Sequence, residues 1–379
     1  MNPIYLDCAA TTPIEPAVTE VVLHYLREEF GNAGSRTHEF GNRAKVAIQK
    51  ARTQVGALVE VPREDVLFTS GATESNNLAI LGLAEFARSE KKTHFITSST
   101  EHKAVLEPFQ RLAAQGFRVT YLAPGPEGYV TPETLNHALT EDTALVSLMH
   151  VNNETGVIQP LAAYCDVLRR HPCFFHTDSA QGYGKLSYDL INPRIDLTSA
   201  SGHKIFAPKG VGALILRRRE FKVPPLTPLM VGGGQERGLR PGTLPVHLIA
   251  GFGAAADLAA KQSRARAVTC DKIKAAALQH LTAAGGVPNV AAEKSINCIL
   301  NISFVGLDSE AIMLALKPLV AISNGSACTS HSYTASHVLT AMDLDADRVR
   351  GAIRLSWSHL TGAVPWAEVA DALRRLQST

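Results

Sequence analysis

The chain has 379 residues, 45% apolar and 19% charged, with 37 basic and 35 acidic side chains and a formal net charge of +2. This length exceeds the usual single domain and leaves room for a large core, and the near balance of charge excludes a general attraction to nucleic acid or to a membrane surface. The six cysteines (Cys8, Cys165, Cys173, Cys270, Cys298, Cys328) form no CxxC pair, which excludes a zinc-ribbon spacing or a dense disulfide framework and fits a reducing compartment.

The opening "MNPIYLDCAATTP" lacks a basic segment followed by an apolar stretch, and no apolar run approaches the ~18 residues of a membrane span. A cytoplasmic protein with no membrane and no direct nucleic-acid partner is expected. From about residue 15 to 217, strand-length apolar runs alternate with helix-length amphipathic segments, the pattern of an α/β domain with a largely parallel sheet. Strands are predicted at 65–70 (DVLFTS), 93–99 (THFITSS), 143–151 (TALVSLMHV), 173–178 (CFFHTD) and 210–218 (GVGALILRR), and a helix over 72–88. Thr131 followed by Pro132 predicts a helix start, because proline suits the first helical position after a hydroxyl cap. The run Arg217-Arg218-Arg219 reads as a solvated strand end.

Residues 226–243 (LTPLMVGGGQERGLRPGT) form a Gly/Pro-rich interruption, and loops of that length inside a domain are usually functional or disordered. A long Ala-rich helical stretch begins near Val246, followed by strands near 298–304 and 352–357 and helices near 309–318 and 366–376. The expected division is a large domain over 14–250 and a smaller α+β domain over 251–379, with residues 1–13 packing against the latter. No internal repeat or metal-ligand spacing is evident.

Three stretches carry chemistry. In "TSGATESNN" a strand end at Ser70-Gly71 meets a helix opening at Ala72-Thr73, and a helix N-terminus offers free N–H groups to an anion; ordinary helix capping by Thr73 and Asn76 or Asn77 is the alternative. In "HTDSAQ" Asp178 follows an apolar strand, where ligands of α/β sheets bind. In "SASGHKIFAPKG" Lys204 also follows an apolar strand, an unusual place for a surface lysine and a suitable one for a nucleophilic amine. Pyridoxal 5'-phosphate requires a lysine to bond, a carboxylate for its ring nitrogen and an anion cradle for its phosphate, and these three stretches supply one of each.

The cysteines divide in two. Cys298 in "INCILNISF" alternates with apolar residues, and Cys165 and Cys173 flank an apolar helix-and-strand region, so these read as core thiols. Cys328 in "SNGSACTSHS" is surrounded by residues too small to cover it and reads as a reachable thiol on a loop.

With "YLDCAATTP", "FTSGATESNN", "TEHKAV", "MHVNNETG", "HTDSAQ", "SGHK", "RPGTLPVH", "NGSACTS" and "IRLSW" in order over nearly the whole chain, the sequence resembles the cysteine desulfurases of the IscS/NifS family. These belong to the class V aminotransferase group with the fold-type I architecture, a large domain with a mostly parallel sheet and a smaller α+β domain.

The resemblance implies that Lys204 bonds pyridoxal phosphate as an imine, Asp178 pairs with the ring nitrogen, His102 stacks on the ring, and Gln181 reaches the ring hydroxyl. It implies a phosphate cradle of Ala72, Thr73, Ser201 and His203, with Thr243 reaching in from the other subunit of a homodimer. Arg354 and Asn153, with Asn32, would bind the substrate carboxylate. L-Cysteine would become L-alanine while Cys328 takes the sulfur as a persulfide for an acceptor protein of iron–sulfur assembly, tRNA thiolation or DNA phosphorothioation.

Cys8, the Gly31-Asn32-Ala33 segment and Asn324 depart from the family's usual residues and are expected to tune packing. The chain ends at Thr379, sooner than housekeeping relatives, which tilts the expectation toward a specialised acceptor such as one of DNA sulfur modification. Selenocysteine turnover, another fold-type I reaction such as transamination, and a non-catalytic assembly partner remain the alternatives; Cys328 separates desulfuration from transamination.

Overall fold

The buried apolar runs become strands, and these strands share one sheet. The computed structural model describes residues 3–219, 221–325 and 335–378. After a short strand β1 (Ile4–Tyr5) come helices α1 (Pro16–Arg27) and α2 (Glu39–Ala57), then β2 (Val66–Thr69), α3 (Ala72–Leu81), α4 (Ala84–Ser89), β3 (His94–Ser98) and α5 (Lys103–Ala114). There follow β4 (Arg118–Leu122), α6 (Pro132–Ala138), β5 (Thr143–Ser147), α7 (Leu161–Leu168), β6 (Phe174–Asp178), β7 (Leu197–Ser201) and β8 (Gly212–Leu216). Their order in the seven-stranded sheet is β2-β8-β7-β6-β5-β3-β4, with only β8 running against its neighbours. The C-terminal ends of β2, β3, β5, β6 and β7 therefore open on one edge.

The sheet is buried on both faces because successive side chains alternate between two cores. Val66, Phe68, Ile96, Val146 and Ile215 enter one cluster with α2 residues such as Ala47 and Ala51, while Leu67, Phe95, Leu145 and Leu214 enter another with Leu78, Val105 and Phe109. Pro132 opens α6 as expected, and the Thr131 side chain accepts from the Thr134 amide. The helix expected over 72–88 is broken at Gly82. Thr227 donates its amide to the Gly82 carbonyl at 2.8 Å, and a Cβ at Gly82 would lie 3.0 Å from the Thr227 oxygen. The close pass of the 226–243 segment thus stops α3 and starts α4.

The basic run at 217–219 is not the solvated strand end expected from sequence. Arg217 donates to the carbonyls of Val59 and Leu190, Arg218 pairs with buried Asp65, and Arg219 forks onto fully buried Asp196. A buried carboxylate needs such a partner, so the three arginines clasp the end of β8 to its surroundings.

Helix α8 (Val246–Ala283) has 38 residues, about 57 Å at the usual rise. It joins two cores: Ile249, Phe252 and Ala256 pack with α1 and α2, whereas Cys270, Ala277 and Leu281 pack in a cluster of the C-terminal third. The expected boundary at 250/251 falls inside this continuous helix. Beyond it lie β9 (Val287–Pro288), β10 (Ile299–Ser303), α9 (Ser309–Leu316), β11 (Val320–Ala321), α10 (His337–Ala341), α11 (Ala346–Arg350), β12 (Ala352–Ser356) and α12 (Trp366–Gln377). Strands β12, β10 and β9 form an antiparallel sheet, and β1 pairs in parallel with β11. Leu6 and Ala9 share the cluster of Ile302, Phe304 and Trp357, so the N-terminal segment packs with the C-terminal residues and brings its backbone to the edge of the large sheet.

Candidate active site

A cavity of about 360 Å³ opens at the C-terminal edge of the large sheet, the usual ligand position of this layered architecture. Ala72, Thr73, His102, Asn153, Asp178, Gln181, Ser201, His203 and Lys204 all line it. Each is delivered by a strand end: β2 leads to Ala72 and Thr73, β3 to His102, β5 to Asn153, β6 to Asp178 and Gln181, and β7 to Ser201, His203 and Lys204.

The floor is built around Asp178. The Asn76 amide donates to its Oδ2 at 2.6 Å and the Ala180 backbone N–H to its Oδ1 at 2.9 Å. The carboxylate is buried at 6% exposure, and those two donors fix its orientation. Behind it lies Glu101, fully buried, with Oε1 accepting from the Met149 amide at 2.6 Å and Oε2 without a hydrogen-bond partner. Burial first, and then the Asp178 charge, push the Glu101 carboxyl well above its ordinary range.

At one end the chain passes from β2 into α3 through Gly71, which adopts φ 155°, ψ 178°, a backbone region open essentially to glycine. The turn leaves the first N–H groups of α3 facing the cavity beside Ser201, whose Oγ would lie 3.8 Å from a Cβ at position 71. Helix N-terminal amides together with two hydroxyls suit a phosphate. Across the cavity, Lys204 Nζ donates to the carbonyl of Ala10 at 2.8 Å and also to that of Ala9. Two acceptors match the two N–H bonds of a neutral amine and leave its lone pair free. Burial, then the charges of Lys185 and Arg354, push this amine down to about 7 from the ordinary lysine value of 10.5. An amine of that basicity is substantially unprotonated near neutrality and is a nucleophile.

His102 caps α5, its Nδ1 accepting from the Ala104 amide at 3.1 Å. The ring is open on the cavity side, but the protein packed around its remaining surface pushes its pKa below the ordinary value, opposed by Asp178. His203 is pushed down to about 4 by burial and then by Lys204, and its Nδ1 lies 3.1 Å from Thr11 Oγ1; it is a neutral hydrogen-bonding group rather than a cation. Gln181 donates from Nε2 to the Ala9 carbonyl at 2.8 Å.

Arg354 stands just outside the lining, 3% exposed, with one guanidinium nitrogen donating to the Asn153 carbonyl at 2.8 Å, another pairing with Asp7 at 2.7 Å, and Nε without a hydrogen-bond partner. Asn32 and Thr243 are not brought to the Lys204 cavity within one chain; both line a separate cavity of about 470 Å³ with Arg52, Glu236 and Arg237. Cys328 lies outside the described residues; the described chain reaches Gly325 on one side and resumes at residue 335 on the other. Asn76, Glu101, Asp7 and the carbonyls of Ala9 and Ala10 belong to the site and were not assigned to it from sequence. The signals were there in part, since Asn76 stood as a possible cap and "YLDCAATTP" contains Asp7, Ala9 and Ala10.

A lysine amine with a free lone pair, an oriented carboxylate across the cavity and a helix N-terminus with hydroxyls match the three attachment points of pyridoxal 5'-phosphate. The class-V aminotransferase family profile matches residues 4–361. The chain is 44% identical over 362 residues to a protein of Rickettsia massiliae named cysteine desulfurase IscS, covering 95% of this chain and 87% of that protein. Its fold is similar to that of a NifS-like protein, with a TM-score of 0.91, 32% identity and 99% of each chain covered. It is likewise similar to DndA from Streptomyces lividans, with a TM-score of 0.83, 50% identity, and 93% of this chain and 99% of that chain covered. With this site on this fold, the chain belongs to the class-V aminotransferase family and, within it, to the pyridoxal phosphate-dependent cysteine desulfurases.

Proposed function

We propose that this enzyme takes L-cysteine to L-alanine in the cavity of Lys204 and passes the sulfur to Cys328. The observation that carries the reading is the half-buried Lys204 amine, pushed down to about 7, sharing one cavity with oriented Asp178. Lys204 would bond the cofactor, Asp178 would hold the proton on its ring nitrogen, and Gln181 and His102 would meet its ring. Ala72, Thr73, Ser201 and His203 would hold its phosphate. When bound, pyridoxal phosphate supplies the electron sink for the substrate carbon skeleton.

Arg354 and Asn153 receive the substrate carboxylate, a role suited to a planar guanidinium; Arg354 has an unpartnered buried Nε and lies beside the Asn153 backbone. Asn32 lines the other cavity with Thr243, so a part for either in the cofactor site requires the second subunit of a homodimer. In the sulfur step the Cys328 thiolate attacks the substrate sulfur and an S–S bond forms. The substrate C–S bond breaks, its electron pair stays with the carbon fragment, and that fragment takes up a proton and leaves as alanine. Cysteine and a thiol thereby give alanine and a persulfide with atoms and electrons balanced.

The persulfide is then delivered to an acceptor protein of iron–sulfur assembly, tRNA thiolation or DNA phosphorothioation. Among the described residues, no helix is long and apolar enough to cross a membrane, and a cytoplasmic location is proposed. The test is the Lys204→Ala variant. It should fold and yet give no reducible bond to the cofactor and no alanine from cysteine; a borohydride-fixed cofactor on another residue of that variant would move the attachment point elsewhere.

A further inference from the structure

Behind the Lys204 cavity lies a second, smaller one of about 80 Å³, which shares Gln181 as a wall and is lined by Ala9, Lys185, Cys8, Cys270 and Cys298. Lys185 Nζ donates to Gln181 Oε1 at 3.4 Å, Gln181 Nε2 donates to the Ala9 carbonyl at 2.8 Å, and that same carbonyl accepts from Lys204 Nζ. The chain of contacts fixes the Gln181 amide, because its oxygen faces an ammonium and its nitrogen a carbonyl. One amide N–H is spent on Ala9. The other is left for the cofactor side.

Resting on the reading that Lys204 bonds the cofactor, we propose that Lys185 is a positioning residue. Its ammonium orients Gln181 and, across the Gln181–Ala9 wall, keeps the Lys204 amine unprotonated with its lone pair free.

The charge of Lys185 is not neutralised where it sits. Among the described residues it has no ion pair, and the thiols beside it are held protonated near neutrality, Cys8 pushed up to about 11 and Cys270 up to about 12, chiefly by burial. His359 and Arg266 line the same small cavity, but both are engaged by Glu15, at 3.2 Å and 3.5 Å.

The other charges acting on Lys204 include Arg354 on β12, Asp178 on β6 and Asp7 after β1, and Lys209 lines the same cavity. Arg354 and Asp7 pair with each other at 2.7 Å and largely offset, and Asp178 opposes Lys185 while being engaged by Asn76. His102 and His203 also adjoin Lys204 and both titrate below their ordinary value, so they add little charge near neutrality. After burial, Lys185 is the leading influence that lowers Lys204.

The experiment strips the cofactor from the enzyme and follows its recombination with pyridoxal phosphate across pH, reading the absorbance of the covalently attached cofactor. The wild-type rate should rise with a midpoint near 7. Lys185→Met should shift that midpoint upward by about one pH unit, making recombination about tenfold slower below it, while Lys185→Arg should keep the wild-type midpoint. Lys185→Gln serves as a second neutral variant should Lys185→Met fail to fold. An unchanged midpoint in a folded neutral variant overturns the proposal. A wild type that forms no bond through Lys204 overturns the site reading itself, a failure visible without any Lys185 variant.

Discussion

Asn76 donates its side-chain amide to Asp178 at 2.6 Å, joining residues 102 positions apart. This bond ties α3, which opens the anion cradle, to the end of β6, which carries the carboxylate. The proposed phosphate end and ring-nitrogen end of the site are thereby tied together. Asn76→Ala should keep the fold but loosen the carboxylate. A hydrogen bond to a charged group contributes about 1.5–3 kcal/mol, so kcat for alanine release should fall about tenfold or more. Unaltered kcat would mean that the Ala180 amide alone orients Asp178.

Asp178→Asn should retain cofactor and lose most turnover, because a neutral amide cannot stabilise the proton on the ring nitrogen. The expected loss is on the order of a hundredfold in kcat, measured by alanine release, the size typical of a single electrostatic catalytic contact. Alanine production within a factor of two of wild type would assign that task to a different group.

Much of this site was legible because chemistry sits at strand ends. Asp178 and Lys204 each follow an apolar run, and the run predicts a strand whose end must face solvent or ligand. Asn76 was not separable from Asn77, since the side of α3 that faces the cavity is set by how the helix packs on the sheet. Glu101 and Lys185 were silent for a different reason: their contacts include the Met149 amide and, through Gln181, the Ala9 carbonyl, backbone groups that no side-chain pattern records. Arg217 to Arg219 misled because Asp65 and Asp196, which pair with two of them, are distant in sequence. The Gly82 break depends likewise on Thr227, far along the chain.

Glu236 predicts a stability effect. Its side chain is 1% exposed, forks onto Arg52 and accepts the Phe68 amide at 2.8 Å, pinning the 226–243 loop to the start of the large sheet. Glu236→Gln leaves the Arg52 charge partly buried without its counter-charge, a change that costs about 3 kcal/mol. Denaturant unfolding should report that loss; an unchanged midpoint and slope would show that the loop is held by other contacts.

Two buried histidines predict acid sensitivity. His94, bonded to threonine hydroxyls, is pushed down to about 4, and His176, between Ser147 and Ser199, to about 3, burial being the leading cause in both. The unfolded chain takes up protons near the ordinary value of 6.5 while the folded chain does not. Stability present above that pH is therefore lost as pH falls toward 4, with a slope up to about 1.4 kcal/mol per unit for each histidine. Thermal melts should fall between pH 6.5 and 4.5, and His94→Gln should flatten that limb. A limb equally steep in the variant would assign the sensitivity to other groups.

The central claim is that sulfur leaves cysteine in this cavity and arrives on Cys328. Wild-type enzyme and Cys328→Ser should each be mixed with cysteine, the alanine released counted, and the peptide containing residue 328 weighed without reductant. The account predicts a gain of one sulfur atom on the wild-type peptide, matched by one alanine per site in the first turnover. Cys328→Ser should bind cysteine and yield neither product, because a hydroxyl of similar size gives no thiolate to attack sulfur. Wild type that makes alanine without the sulfur adduct, or a serine variant that makes alanine at a comparable rate, would contradict it.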